Sequence, residues 1–199
     1  VVYVFDRVGN SFNQVGILTG SLAGDALDRF GYSVATSADG KTIIVGAYTD
    51  EQTGSGDSSG VVYVFDRVGS SFNQVGILTG SLAGSTNDFF GSSVATSADG
   101  KTIIVGASTD EQTGSGDDSG VVYVFDRVGN SFNQVGILTG SLAGSEDDAF
   151  GWSVATSADG KTIVVGAVQD EQTGSGDSSG VAYVFNRQGN SFNQVGILT

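Results

Sequence analysis

The chain has 199 residues and a formal charge of −14, and it contains no proline, cysteine, methionine or histidine. Without cysteine there is no disulfide framework or thiolate metal site, and without histidine the commonest general base and zinc ligand are missing. Most hydrolytic and redox chemistries are therefore set aside. The acidity argues against nucleic acid, which is bound through clustered lysine and arginine, and it favours cations or basic partners.

The first element in the chain, VVYVFDRVG from Val1, returns at Val61 and Val121 and, as VAYVFNRQG, at Val181, so the period is 60 residues. Such near-identity implies recent duplication of one module. Residues 1–19 supply two strands, C and D, and a connection over 20–29 follows. The first complete unit then runs through strand A (31–37), a hairpin at 38–41, strand B (42–47), a long polar connection, strand C (61–66), a hairpin over 67–71 and strand D (73–79). The 32 glycines fit this pattern of brief strands and tight turns, because glycine takes the positive φ that such turns need. Strand C carries apolar residues on both faces, as in a strand packed on both sides.

The expected fold is all-β. Four-stranded antiparallel units cannot bury their faces alone, so they stack as β-propeller-type blades in preference to a solenoid. The boundaries are a half blade at 1–19 and blades at 30–79, 90–139 and 150–199, with connections at 20–29, 80–89 and 140–149. That makes about three and a half blades. A two-chain ring and a truncated longer array both fit the count. A chain that starts mid-repeat without methionine is expected to be a mature or excised piece, and no apolar stretch approaches the roughly 20 residues of a membrane-spanning helix.

Phe30-Gly31, Ser33-Val34-Ala35, Asp39-Gly40, Ile43-Ile44-Val45-Gly46-Ala47 and Ser59-Gly60-Val61-Val62-Tyr63-Val64-Phe65 together resemble the FG-GAP repeat, and the pattern recurs at Phe90-Gly91 and Phe150-Gly151. That family includes the propeller of integrin α subunits and many bacterial surface proteins, so the resemblance implies a propeller and an extracellular or cell-surface setting. Integrin-like repeats carry an Asp-x-Asp-x-Asp-Gly calcium loop between strands A and B. Here only Ser37-Ala38-Asp39-Gly40 stands there, and one carboxylate cannot supply the six to eight oxygens calcium takes.

Antiparallel order puts both hairpins of a blade at one end and the long D–A and B–C connections at the other. Sixteen of the 22 carboxylates, against Arg29 alone among the basic residues, fall in the long connections. Differences among the repeats gather at the same end. This makes Asp25, Leu27, Arg29, Tyr32, Tyr48, Asn87, Phe89, Ser92, Glu146, Asp147, Trp152 and Val168 candidate ligand-binding residues, with Tyr32 and Trp152 as amphipathic anchors. Two plain readings stand beside this one. Long loops tolerate change better than tight turns, and acidic charge keeps a strand-rich chain soluble. Tyr32 and Trp152 also suit a plug for a central channel.

The B–C connection, from Asp50 to Asp57, has closely spaced oxygens and glycines that could wrap a hard cation such as calcium. Its candidate ligands are Asp50, Glu51 and Asp57, then Asp110, Glu111 and Asp117, then Asp170, Glu171 and Asp177; no other cofactor is indicated. The expected function is a non-enzymatic extracellular adhesion module that binds a protein or glycan through a variable acidic face. The alternative is a structural protein assembling through its repeated blades, with other copies of itself as partners.

Overall fold

The computed structural model describes residues 1–22, 27–51, 58–83, 87–110, 119–141, 148–170 and 179–199. Among the described residues there are fourteen strands and no helix. The first two, β1 (Val2–Val8) and β2 (Ser11–Leu18), form a two-stranded sheet. A four-stranded sheet follows, in the order β3 (Ser33–Thr36), β4 (Thr42–Ala47), β5 (Val61–Val68) and β6 (Ser71–Leu78). The next repeats it with β7 (Phe90–Thr96), β8 (Thr102–Ala107), β9 (Val121–Val128) and β10 (Ser131–Leu138). The last holds β11 (Phe150–Thr156), β12 (Thr162–Ala167), β13 (Val181–Gln188) and β14 (Ser191–Leu198). Every pairing is antiparallel, so the all-β, blade-like architecture holds.

Burial within strand B reports how the blades stack. TIIVGA is buried at every position of β4 and β8, because each lies between two strands and between two sheets. In β12, which has a neighbouring sheet on one face only, buried and less buried positions alternate. Burying a valine, isoleucine or phenylalanine contributes about 1.5–3 kcal/mol, and each blade contact gathers a cluster of them. One such cluster joins Ile44, Val62 and Val64 to Phe90, Ile103, Val105, Tyr123 and Phe125 of the following blade.

Two differences from the sequence reading have local causes. The C–D connection is tighter than a five-residue hairpin: Val68 pairs with Ser71, leaving Gly69 and Ser70 as the turn. Gly69, at φ 61°, takes the first turn position, the arrangement that II′ hairpins use. Strand A begins at Phe90 and Phe150 in the later blades, with a register shift before Ser93 and before Ser153. Gly91-Ser92 and Gly151-Trp152 lie within these bulges.

The inner strands β3, β7 and β11 pack on one another in succession, whereas the outer strands meet only marginally, so the blades fan out from strand A. Close approach at the hub depends on Gly46. A Cβ there would lie 2.1 Å from the Gly91 carbonyl oxygen, which also accepts a 2.7 Å hydrogen bond from the Ser33 hydroxyl. At the hairpin end the Ala38 amide donates to the Ala98 carbonyl at 2.9 Å.

Nearer the rim, Arg127 forks onto Asp66 of the preceding blade with bonds of 2.6 and 2.5 Å, and lies 5.3 Å from the centre of the Phe132 ring. Arg67 on Asp6 and Arg187 on Asp126 repeat the arrangement.

Candidate functional site

The two long connections of a blade meet at one end. The Thr49 hydroxyl donates to the Leu27 carbonyl, and Thr109 does the same to Asn87. In the last blade the Gln169 amide donates to the Asp148 carbonyl at 3.4 Å. The segments near residues 27 and 50 therefore share a face, and the hairpins lie at the other end.

Beneath that face sits a row of buried aspartates. Asp50, Asp110 and Asp170 are at most 2% exposed, and each carboxylate accepts the hydroxyl of a buried tyrosine, namely Tyr63, Tyr123 and Tyr183. Burial first, and then the charge of Asp110, push the Tyr123 phenol far above its ordinary range. The backbone joins in: Gly60 donates to the Asp50 carbonyl at 3.0 Å, and Asp50 donates to Ala47 at 3.0 Å. These three residues close the base of the B–C connection. Asp28, Asp88 and Asp148 are buried too. Among the described residues no three metal-ligating side chains come together. Glu51 is exposed, and Asp57, Glu111, Asp117, Glu171 and Asp177 lie outside the described residues.

Asp39, in the A–B hairpin where integrin-like repeats hold calcium, organises its own turn instead. It accepts the Ser37 hydroxyl at 2.7 Å and the Lys41 amide at 3.0 Å. The Ser37 bond above all, then the Lys41 amide, holds its carboxyl below the usual range.

Above the hub, at the long-connection end, Tyr32, Tyr48, Phe89, Ser92, Ser108 and Trp152 line an open cleft of about 200 Å³. The Tyr32 and Tyr48 ring centres are 4.4 Å apart, and Tyr48 meets Phe89 edge to face at 5.1 Å. Ser92 and Trp152 reach it from the strand-A bulges, a device that re-aims a side chain out of a sheet. Tyr32 and Trp152 remain more than half exposed.

Phe89 enters from the position before Phe-Gly, which is left-handed in all three blades: Arg29, Phe89 and Ala149 have φ of 55°, 55° and 54°. None is glycine, so each carries a steric cost of about 1–2 kcal/mol. The amide three residues on donates back to each, as from Ser92 to Phe89 at 3.0 Å.

The six described lining residues occupy three repeat positions, 29/89/149, 32/92/152 and 48/108/168, and at each of these the three repeats carry three different residues. The cleft thus brings together Tyr32, Tyr48, Phe89, Ser92 and Trp152 from the sequence-selected set, and adds Ser108. The signal for Ser108 was its place opposite Tyr48 and Val168 in the repeat. Arg29, Leu27 and Val168 are exposed nearby in sequence but do not line it. Asn87, at φ 69°, serves the Thr109 bond. Asp25, Glu146 and Asp147 lie outside the described residues.

Several solved structures share the fold at low identity. The chain is 14% identical to a putative 6-phosphogluconolactonase from Bacteroides uniformis, with a TM-score of 0.59 over 98% of this chain and 50% of that one. Yeast (Saccharomyces cerevisiae) Sqt1 is 11% identical with a TM-score of 0.55, over 87% of this chain and 36% of its own. TolB from Acinetobacter baumannii is 14% identical with a TM-score of 0.50, over 96% and 36%. The chain thus spans between about a third and a half of these proteins, and the likeness shows the blade architecture alone. No curated protein matches it. The FG-GAP repeat model matches three times, over residues 12–65, 72–125 and 132–185. With most of its length so covered, the chain belongs to the FG-GAP repeat family.

Proposed function

We propose that the chain is a non-enzymatic binding module whose recognition site is the aromatic cleft at the long-connection end, working outside the cell or at its surface on a protein or glycan partner. The observation that carries this reading is the coincidence of variation and geometry. Repeats that are otherwise nearly identical differ in threefold fashion at the positions that line one cavity. Loop tolerance alone gives no reason for those differences to converge across three blades. FG-GAP repeats are common in extracellular proteins, and the acidic end suits a basic partner.

The test exchanges lining residues for those a neighbouring repeat carries, Tyr48→Ser as at Ser108 and Trp152→Ser as at Ser92. Both variants are screened with the parent on arrays of glycans and extracellular proteins. Loss of the parent's binding with an unchanged melting temperature is the expected outcome. An equal fall in melting temperature would assign the residues to the core and sink the reading.

A further inference from the structure

The chemistry of the cleft narrows its ligand, and the inference rests on the cleft being a binding site. Among the described residues, four of the six that line it are aromatic, Tyr32, Tyr48, Phe89 and Trp152, and the other two, Ser92 and Ser108, carry hydroxyls. A sugar ring presents several hydroxyl groups that need amide or carboxylate partners, and two serines serve few of them. The Ser92 hydroxyl already donates to the Gly106 carbonyl at 3.3 Å, but a purely apolar ligand would desolvate the Tyr32 and Tyr48 hydroxyls without compensation.

An organic ammonium group fits both constraints. Aromatic faces carry negative potential, and several rings around one cavity attract a cation whose charge is spread over methyl or methylene groups. The surroundings reinforce this. Among the described residues no lysine or arginine lines the cleft. The connections at this end contain sixteen carboxylates in the sequence and one basic residue, Arg29, so the local potential concentrates cations and repels anions. The Tyr48 and Phe89 rings stand at 87° to each other, which makes two adjoining walls of a box.

We propose that the cleft binds an organic ammonium cation, carried by a lysine or methylated lysine side chain of a partner protein. Tyr32 and Tyr48 of one blade, Trp152 of another and Phe89 from the connection between them form the walls, while the small Ser92 and Ser108 of the middle blade leave room for the ligand. The pattern of large residues beside small ones is then a size filter written into three repeats.

Trp152 is the sole tryptophan, so its fluorescence reads the cleft directly. The intact chain is titrated with tetramethylammonium, with N-acetyl-trimethyllysine amide and with 3,3-dimethylbutanol, a neutral molecule of similar shape. Saturable changes with both cations are expected. The neutral molecule should bind at least about tenfold more weakly, as removal of a cation–π attraction predicts. Tyr48→Ser, which installs the residue native at 108, should weaken the cations about fivefold or more and leave the melting temperature in place.

Equal binding of the neutral molecule overturns the proposal but keeps the cleft as a binding site, as does saturation by a neutral glycan alone. Saturation by tetramethylammonium without any response to N-acetyl-trimethyllysine amide would overturn the protein source. No saturable response from any probe, with a lowered melting temperature in Tyr48→Ser, would remove the cleft as a site altogether.

Discussion

Tyr48, directly after β4 in one blade, meets Phe89, from the connection leading into the next blade, edge to face with ring centres 5.1 Å apart. The contact crosses a repeat boundary, and its counterpart between the next two blades pairs Ser108 with Ala149. Two aromatic residues appear together in one place and two small residues together in the other. Substitution in the repeats is thus matched in pairs across the blade junction.

The left-handed residue before Phe-Gly yields a direct stability test. Arg29 is exposed at φ 55° and does not line the cleft. Arg29→Gly should therefore relieve the backbone and raise stability by about 1 kcal/mol, read as a higher urea midpoint. A lower midpoint would show that the arginine side chain holds the connection in place.

The blade junction depends on a planar fork. Arg127 grips both oxygens of Asp66, with side chains 14% and 26% exposed. Arg127→Lys keeps the charge but cannot make the paired bonds, and should cost about 1 kcal/mol after solvent screening. Lys101, exposed beside Asp99, should tolerate alanine with the urea midpoint unmoved.

The tyrosine–aspartate pairs should show in alkali. The folded-state pKa of Tyr123 is raised, chiefly by burial and then by Asp110. The stability it contributes is whole below the unfolded value near 10 and declines as pH rises beyond it. Absorbance at phenolate wavelengths should show this residue ionising only as the chain unfolds. Tyr123→Phe should cost about 1–2 kcal/mol at neutral pH.

Acid acts on the other end. Asp39, Asp99 and Asp159 have lowered folded-state pKa values, first through the hydroxyls of Ser37, Ser97 and Ser157. Their contribution is present above the unfolded value near 3.9 and is lost as pH falls through the lower folded value. Ser97→Ala should flatten this acid limb in urea melts run between about pH 4 and pH 2, while the alkaline limb stays put.

Much of this arrangement was legible in the sequence. The 60-residue period and the alternation in VVYVFD located the strands, and antiparallel order sorted the connections onto two ends. TIIVGA was read at its observed bounds, Thr42–Ala47. The side-chain partnerships were not legible, because they join residues of different strands or blades. Nothing local in the sequence of Asp50 distinguishes a solvated loop acid from one sunk beneath Tyr63. The fork from Arg67 to Asp6 spans a whole repeat, so it requires the stacking to be known first. The bulge at Gly151-Trp152 was also hidden, although it decides that the tryptophan faces the cleft.

The Asp–Arg forks link each blade only to its neighbour, and the last unit carries Asn186 where the others have Asp6, Asp66 and Asp126. An amide has one acceptor oxygen and no charge, so Asn186 cannot take the place of aspartate in such a fork. Cohesion in such a stack is passed along link by link, and fraying starts where links are fewest. The β7–β10 sheet, clasped by a sheet on each side, should exchange its amide hydrogens last.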